Sequence, residues 1–551
     1  MKPIKIESIK VSSFYQPIKR ITKIWVGIVS IFLFAVLINI LVNLYGFSNR
    51  LLWSETTPAV VFAVLVSVLA GRHAKGRSKA KMSTATFFTL CILTMLPFLF
   101  VATSFGNATL GAIIFTLQAN AAQDLFRVGI NDFSTQATEV VIYAIIMILA
   151  PRFLLKHVLF FRPLFIVLTL IGITFHPITS GIYEYLIPNK NHRLLNIQDD
   201  MPPVHVLASP VHPKNVIHIY LESVERTYAN VPSAKTAYRY FHDIEQRGLT
   251  FTNVGQVYGT DYTASGLVAS QCGVPLLPNG MNDLKNKIWQ NKEKSFESDK
   301  FMSYVTCLGD VLKSQGYNLS YINGSDLRVF SKGEIFSSHG YDRVFGINSL
   351  ANADSEPRQN VWGLDDEFLF EKAKSEITHL KDLGEPFVLT MLTLATHGPD
   401  AVLDATCDNT KINDSLIPAA IECTANHIKD LMIYLEQHGL MQDTIVILQS
   451  DHLAMRNTLA NELGQYPEDS RKNLFTILGA DYSGQYDKAG SAVDIFPTIL
   501  EVLGFKIANN AAHFGRSLIS ETPTLVQSLG VETVSAAFAN NRDLQQRLWS
   551  P

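Results

Sequence analysis

The chain has 551 residues, 47% of them apolar, with a mean hydropathy of +0.15 and a formal net charge of -3. That apolar content is high for a wholly soluble protein, and the near-neutral charge gives no electrostatic case for nucleic acid as a partner. The excess lies before about residue 180, while the rest has ordinary globular composition.

Taken in order, the chain opens with five apolar runs, at 24–45, 51–71, 84–105, 137–155 and 159–175. Each approaches the roughly 20 residues that cross a bilayer as a helix. Basic residues cluster before the first run (Lys19, Arg20, Lys23), between the second and third (Arg72, Lys75, Arg77, Lys79, Lys81) and around the join of the last two (Arg152, Lys156, Arg162). The opposite loops hold only Arg50 and Arg127, which predicts five spans with a cytoplasmic N-terminus and everything after Phe175 outside. The first run lacks a small-residue cleavage site, so a retained anchor is expected. Segment 109–126 is too polar on one side to span; it reads as an interfacial amphipathic helix or a helix packed on neighbouring spans. The expected organisation is a transmembrane domain at 1–180, a proline-rich linker at 181–213, a catalytic domain at 214–520 and a C-terminal helical tail at 521–551.

From residue 214 strand and helix patterns alternate. Strands are predicted at 214–221, 250–254, 318–322, 387–394 and 444–448; helices at 237–247, after 263, and at 308–315, 365–380 and 418–438. This is an α/β pattern with a mostly parallel sheet sandwiched by helices, a fold that carries its sites at strand carboxyl ends. The strand beginning at Asn215 runs into Glu222, and the strand beginning at Thr444 runs into Asp451 and His452. Between them, Thr260 and Thr263 lie in a loop that leads into a helix. Two carboxylates, an imidazole and a hydroxyl make a candidate metal site with a nucleophile. Cys272, Cys307, Cys407 and Cys423 follow the spans, and nearness in sequence favours the pairs Cys272–Cys307 and Cys407–Cys423.

These segments carry a resemblance. Tyr220-Leu-Glu222-Ser, Gly259-Thr-Asp-Tyr-Thr263-Ala-Ser-Gly, Ser450-Asp451-His452-Leu and Gly515-Arg-Ser-Leu resemble the alkaline phosphatase and sulfatase superfamily. The likeness is to its membrane-anchored branch of lipoteichoic acid synthases and phosphoethanolamine transferases, and within that branch to phosphoglycerol transferases that decorate periplasmic glucans. The resemblance implies a multi-pass protein of the bacterial inner membrane with its catalytic domain in the periplasm. It implies phosphatidylglycerol as donor, a periplasmic glucan or other envelope glycan as acceptor, and a phosphothreonine intermediate. The longer enterobacterial forms of such enzymes continue into a further C-terminal domain that this sequence does not show, which leaves the acceptor open.

Glu222, Thr263, Asp451 and His452 are the expected ligands of a divalent cation, for which the resemblance favours Mn²⁺ while the donor set also suits Mg²⁺ or Zn²⁺. Thr263, at a helix N-terminus where amides favour a phosphoryl anion, is the expected nucleophile; Thr260 is the alternative. His397, after another apolar strand, resembles the family's substrate-side histidine. Arg328 is expected to hold phosphate. His339 and the Trp362–Asp366 segment are weaker substrate-side candidates. Phosphoethanolamine transfer and phosphodiester or sulfate-ester hydrolysis would use the same machinery. Against a sulfatase mechanism, Thr263-Ala-Ser-Gly stands where the formylglycine precursor would read Cys-x-Pro-x-Arg. A non-catalytic lipid sensor or scaffold would be marked by missing ligands, and all are present.

Overall fold

The β-branched and apolar runs ending at Leu221, Leu392 and Ser450 form three adjacent central strands of one sheet. The computed structural model describes residues 195–277, 301–351, 358–455, 457–539 and 541–550. The five expected spans and segment 109–126 lie outside them; among the described residues no helix is long and apolar enough to cross a membrane.

The strands are β1 (Val206–Ala208), β2 (Asn215–Leu221), β3 (Leu249–Phe251), β4 (Val254–Gly255), β5 (Asn318–Asn323), β6 (Arg343–Phe345), β7 (Phe387–Leu392), β8 (Thr444–Ser450), β9 (Phe475–Leu478), β10 (Gly484–Tyr486), β11 (Gly490–Ser491) and β12 (Lys506–Ile507). Eight of them make the main sheet in the order β10-β3-β9-β8-β2-β7-β5-β6. All its pairings are parallel except those of β9, which runs antiparallel to both β3 and β8, so the sheet is mixed with a parallel core.

The centre is buried on both faces, as parallel sheets require. Along β2, Val216 and Tyr220 enter one core while Ile217, Ile219 and Leu221 enter the other, following the two-residue period of a strand. The first core holds helix Thr263–Cys272, helix Ile495–Val502 and the C-terminal helices. The second holds helices Arg239–Arg247, Asp366–Asp382 and Ile417–Gln437. Because β2, β5, β7 and β8 are parallel, their carboxyl ends share one edge, and Glu222, the turn after Asn323, the loop to His397, and Asp451 with His452 all leave from it.

Several expectations change in detail. The predicted strand 250–254 is two strands, β3 in the main sheet and β4 paired with β11. Strands β6, β9 and β10 are only three or four residues long, too short for a periodic signal. The described part of the proline-rich stretch is integrated: Leu195 and Met201 are buried, and β1 pairs antiparallel with β12. The C-terminal segment likewise buries Val526, Val534, Ala537, Phe538, Leu544 and Leu548 in the first core, and Trp549 Nε1 donates to Leu277 O at 2.8 Å. Both expected disulfides are present, Cys272–Cys307 and Cys407–Cys423.

Candidate active site

Glu222 is placed by the end of β2 and by its neighbour strand. Its N–H donates to Thr393 Oγ1 at 3.2 Å, and Thr396 Oγ1 donates to its carbonyl. Ser223, next in the chain, has φ of 55°, a left-handed conformation that non-glycine residues adopt at a cost. That turn aims the Ser223 N–H at Asp451 Oδ1, 2.9 Å away, and brings Ser223 Oγ to Glu222 Oε1 at 2.9 Å. The exit of β8 is fixed by Glu225, which accepts from Ala454 N at 2.8 Å and is clamped by Arg471, and by Gln256, which accepts from Leu453 N at 2.9 Å.

These constraints bring Glu222, Asp451 and His452 together, all buried. His452 Nε2 lies 3.2 Å from Asp451 Oδ2 and 3.5 Å from Glu222 Oε1. Its Nδ1–H donates to Leu453 O at 2.7 Å, which leaves Nε2 as the nitrogen that faces the carboxylates. Thr263 Oγ1 donates to Glu222 Oε2 at 3.3 Å and sits 3.5 Å from His452 Nε2. Thr260 does not reach the cluster: its hydroxyl donates to Val257 O at 2.8 Å and accepts from Val257 N at 3.2 Å, closing the turn.

Thr263 owes its place to helix packing. It is the first residue of a ten-residue buried helix whose start is fixed by Tyr262 N–H donating to Ser265 Oγ at 2.9 Å. One turn in, Gly266 lies against the Asp451 backbone so closely that a Cβ would sit 1.8 Å from the Asp451 carbonyl oxygen. A glycine is therefore the condition for the helix that begins at Thr263 and the end of β8 to meet.

Burial pushes the Asp451 carboxyl up to about 8, with Glu222 adding to the rise. Burial also pushes Glu222 up, but the charges of His397 and His452 outweigh it and its pKa falls. For His452, burial is outweighed by Asp451 and Glu222, and the pKa rises. Asp451 Oδ2 is buried with no hydrogen-bond partner. Two buried carboxylates, an orphaned oxygen and an imidazole nitrogen aimed between them fit a divalent cation held by oxygen and one nitrogen.

The cluster opens on a pocket of about 460 Å³ lined by Glu222, Thr263, Lys332, Trp362 and His397 among others. His397 Nδ1–H donates to Gly398 O at 2.7 Å, and its ring lies tilted by 31° against Trp362 with centroids 3.6 Å apart. Burial lowers its pKa, opposed by the Glu222 charge. The loop bearing His397 hangs on Asp366, whose carboxylate accepts from Leu394 N and Ala395 N at 2.9 Å each.

Arg328 also lines the pocket, but its side chain is 72% exposed and engages Asp326 through Nε at 3.1 Å and a second nitrogen at 2.6 Å. Lys332, which sequence reasoning missed, is 4% exposed and lines the same pocket; burial lowers its pKa to about 8 against the pull of Glu222. Nothing in Ser331-Lys332-Gly333 signals this, because the left-handed Phe330 and Ser331 that turn the lysine inward break no sequence rule. His339 is elsewhere, its Nδ1 2.8 Å from Asp310 and its ring beside the Cys272–Cys307 bond.

The Sulfatase family model matches residues 214–505. The chain is similar to Phosphoglycerol transferase I of Xanthomonas campestris pv. campestris, 30% identical over 436 residues that cover 75% of this chain and 58% of that protein. It is also similar to Phosphoglycerol transferase I of Salmonella agona, 33% identical over 317 residues, 56% of this chain and 39% of that protein. The chain thus spans under two thirds of the length of these relatives. Among solved structures, a protein in the alkaline phosphatase superfamily from Vibrio parahaemolyticus aligns with a TM-score of 0.49 and 17% identity, over 67% of this chain and 97% of that one.

Proposed function

The chain belongs to the Sulfatase family, and from that premise we propose that it is a membrane-anchored phosphoglycerol transferase. In this reading it takes phosphoglycerol from phosphatidylglycerol onto Thr263 and passes it to a hydroxyl of a periplasmic glucan or related envelope glycan. The observation that carries the reading is the Thr263 hydroxyl at a helix start, 3.3 Å from Glu222 and 3.5 Å from His452, facing a pocket lined by His397 and Lys332. Similarity to proteins named Phosphoglycerol transferase I supports the transferred group. The predicted spans support an inner-membrane address, and a lipid donor gives a reason for them.

A divalent cation held by Glu222, Thr263, Asp451 and His452, with manganese the favoured occupant, would favour the alkoxide of Thr263 and offset charge on the phosphoryl oxygens. Thr263 Oγ, as the alkoxide whose proton has been released to solvent, attacks phosphorus, the bond from phosphorus to the diacylglycerol oxygen breaks, and protonated His397 gives its proton to that leaving oxygen. In the second half, neutral His397 takes a proton from the acceptor hydroxyl, whose oxygen attacks phosphorus as the Thr263 oxygen leaves. The cycle returns His397 to its protonated form. Burial lowers the His397 pKa against the pull of the Glu222 charge, so the negative charge of the bound phosphodiester must add to that pull for His397 to carry the proton it gives. Lys332 and the free amides of the helix start hold the phosphoryl oxygens. The amide-rich wall of Asn348, Gln359 and Asn360 with Trp362 faces the rest of the substrate.

Incubating the purified full-length protein with headgroup-labelled phosphatidylglycerol and periplasmic glucan tests the reading. Label is expected on the glucan with release of diacylglycerol; release of free glycerol phosphate without transfer would replace it with a hydrolase.

A further inference from the structure

A second cluster of metal-ligating side chains lies apart from the pocket, where the turn at 404–407 meets helix Ile417–Gln437. Cys423 and His427, four residues apart, share one helix face. Asp404 and Cys407 come from the turn. His427 Nε2 is 2.8 Å from Asp404 Oδ2 and 3.7 Å from Cys423 Sγ. Cys407 Sγ is 3.1 Å and Cys423 Sγ 3.9 Å from Asp404 Oδ1. One donor atom from each residue falls within 4.8 Å of the other three, and none of the four residues lines the pocket.

Zinc prefers four ligands in a tetrahedron, with bonds of about 2.3 Å to sulfur and about 2.0 Å to nitrogen or oxygen; those lengths separate ligand atoms by roughly 3.3–3.8 Å. The contacts of Cys423 at 3.7 and 3.9 Å lie near that range, those of Asp404 with His427 and Cys407 at 2.8 and 3.1 Å must open by a few tenths of an ångström, and the two bonded sulfurs must part. We propose that these four residues form a two-state centre: a disulfide in the oxidised chain, and a tetrahedral zinc site of Asp404, Cys407, Cys423 and His427 in the reduced chain. The centre is joined to the loop that carries His397 through Glu367, whose N–H donates to Asp404 Oδ2 at 3.2 Å and whose neighbour Asp366 accepts from Leu394 N and Ala395 N.

The exchange needs a dithiol reductant. Its thiolate attacks Cys407 Sγ, on the half-buried residue of the pair, and the bond to Cys423 breaks. Cys423 leaves as a thiolate beside His427, and the reductant's second thiol then displaces Cys407. Two electrons and two protons pass to the cysteines and the reductant becomes a disulfide. Zinc binding then replaces the two thiol protons. The Cys272–Cys307 bond, with both residues at most 1% exposed, is shielded from the same attack.

Cobalt is the probe, because the catalytic cluster contains no sulfur and gives no thiolate-to-cobalt charge-transfer band. After mild dithiol reduction the full-length protein is expected to take up one further Co²⁺ with such a band, which zinc bleaches; the unreduced protein shows none. The Cys407→Ser/Cys423→Ser variant should lose the band. His427→Gln should weaken the uptake by more than the roughly 10- to 100-fold typical of residues that only support a ligand. A reduced protein without the band, or the same band in the double variant, overturns the proposal. If reduction unfolds the chain, alkylation read by mass spectrometry still decides. Zinc must slow labelling of Cys407 and Cys423, and unslowed labelling overturns the proposal.

Discussion

Replacing Gly266 by alanine puts a methyl group where a Cβ meets the Asp451 carbonyl oxygen at 1.8 Å and the carbonyl carbon at 2.7 Å. A non-bonded carbon–oxygen contact settles near 3.3–3.6 Å, so the helix and the end of β8 must part by roughly 1.5 Å. No rotamer change can relieve the clash, since both sides are backbone. The distances of Thr263 Oγ1 to Glu222 and His452, now 3.3 and 3.5 Å, open with it. A misplacement of about 1 Å at reacting groups costs about 100-fold in rate, so transfer is expected to fall at least that far. Overpacking also costs about 1–3 kcal/mol, which at this size lowers Tm by only about 1–2 °C for each kcal/mol. Gly255→Ala is the control, because its Cβ would meet nothing nearer than 3.7 Å and should change little. The assay is diacylglycerol release from phosphatidylglycerol by the purified full-length variants, with Tm from thermal melts. A folded Gly266→Ala protein that turns over at the wild-type rate would refute the reasoning that backbone contact here sets the site.

Lys332→Met should lower transfer by about 100- to 1,000-fold, the range for removing one group that stabilises a developing anion, whereas Arg328→Ala, exposed and tied to Asp326, should cost under about tenfold; steady-state kinetics on both variants would expose a reversed order. Glu222→Gln, Asp451→Asn and His452→Ala should each abolish transfer and lower metal content, measured by elemental analysis, and chelator should inhibit the wild type; full metal content in the triple variant would refute the ligand set. Burial lowers the His218 pKa to about 4 against its hydrogen bond to Gln449. The stability it contributes is complete above the unfolded value near 6.5 and is lost as pH falls through about 4, a change of about 3 kcal/mol. Unfolding free energies across that window should slope less steeply in His218→Phe, and equal slopes would contradict the assignment.

The parts of this molecule legible in sequence are those where one local pattern decides the outcome. The strands ending at Glu222 and Asp451 are long apolar runs bounded by polar residues, so their ends and their acids read directly. Helix Asp366–Asp382 and helix Ile417–Gln437 are long enough for their periodicity to show. The helix that begins at Thr263 was also legible, from the small and apolar residues that follow it. What escaped depends on distant partners. The antiparallel β9 is four residues whose direction is set by β3 and β8. The packing of the C-terminal helices depends on distant residues, Phe538 meeting Phe514 and Trp549 donating to Leu277 O. Arg328 and Lys332 are both cations in one loop, and only the left-handed turn between them decides which is buried in the pocket.

The central claim is that Thr263 carries the phosphoglycerol between donor and acceptor. Wild-type protein incubated with phosphatidylglycerol in the absence of acceptor, quenched in acid and digested, should yield one peptide heavier by a phosphoglycerol group, with fragmentation placing the mass on Thr263; Thr263→Ala should yield none while Thr260→Ala still forms it. The same mass on Thr260, or donor cleavage by Thr263→Ala at the wild-type rate, would contradict the account.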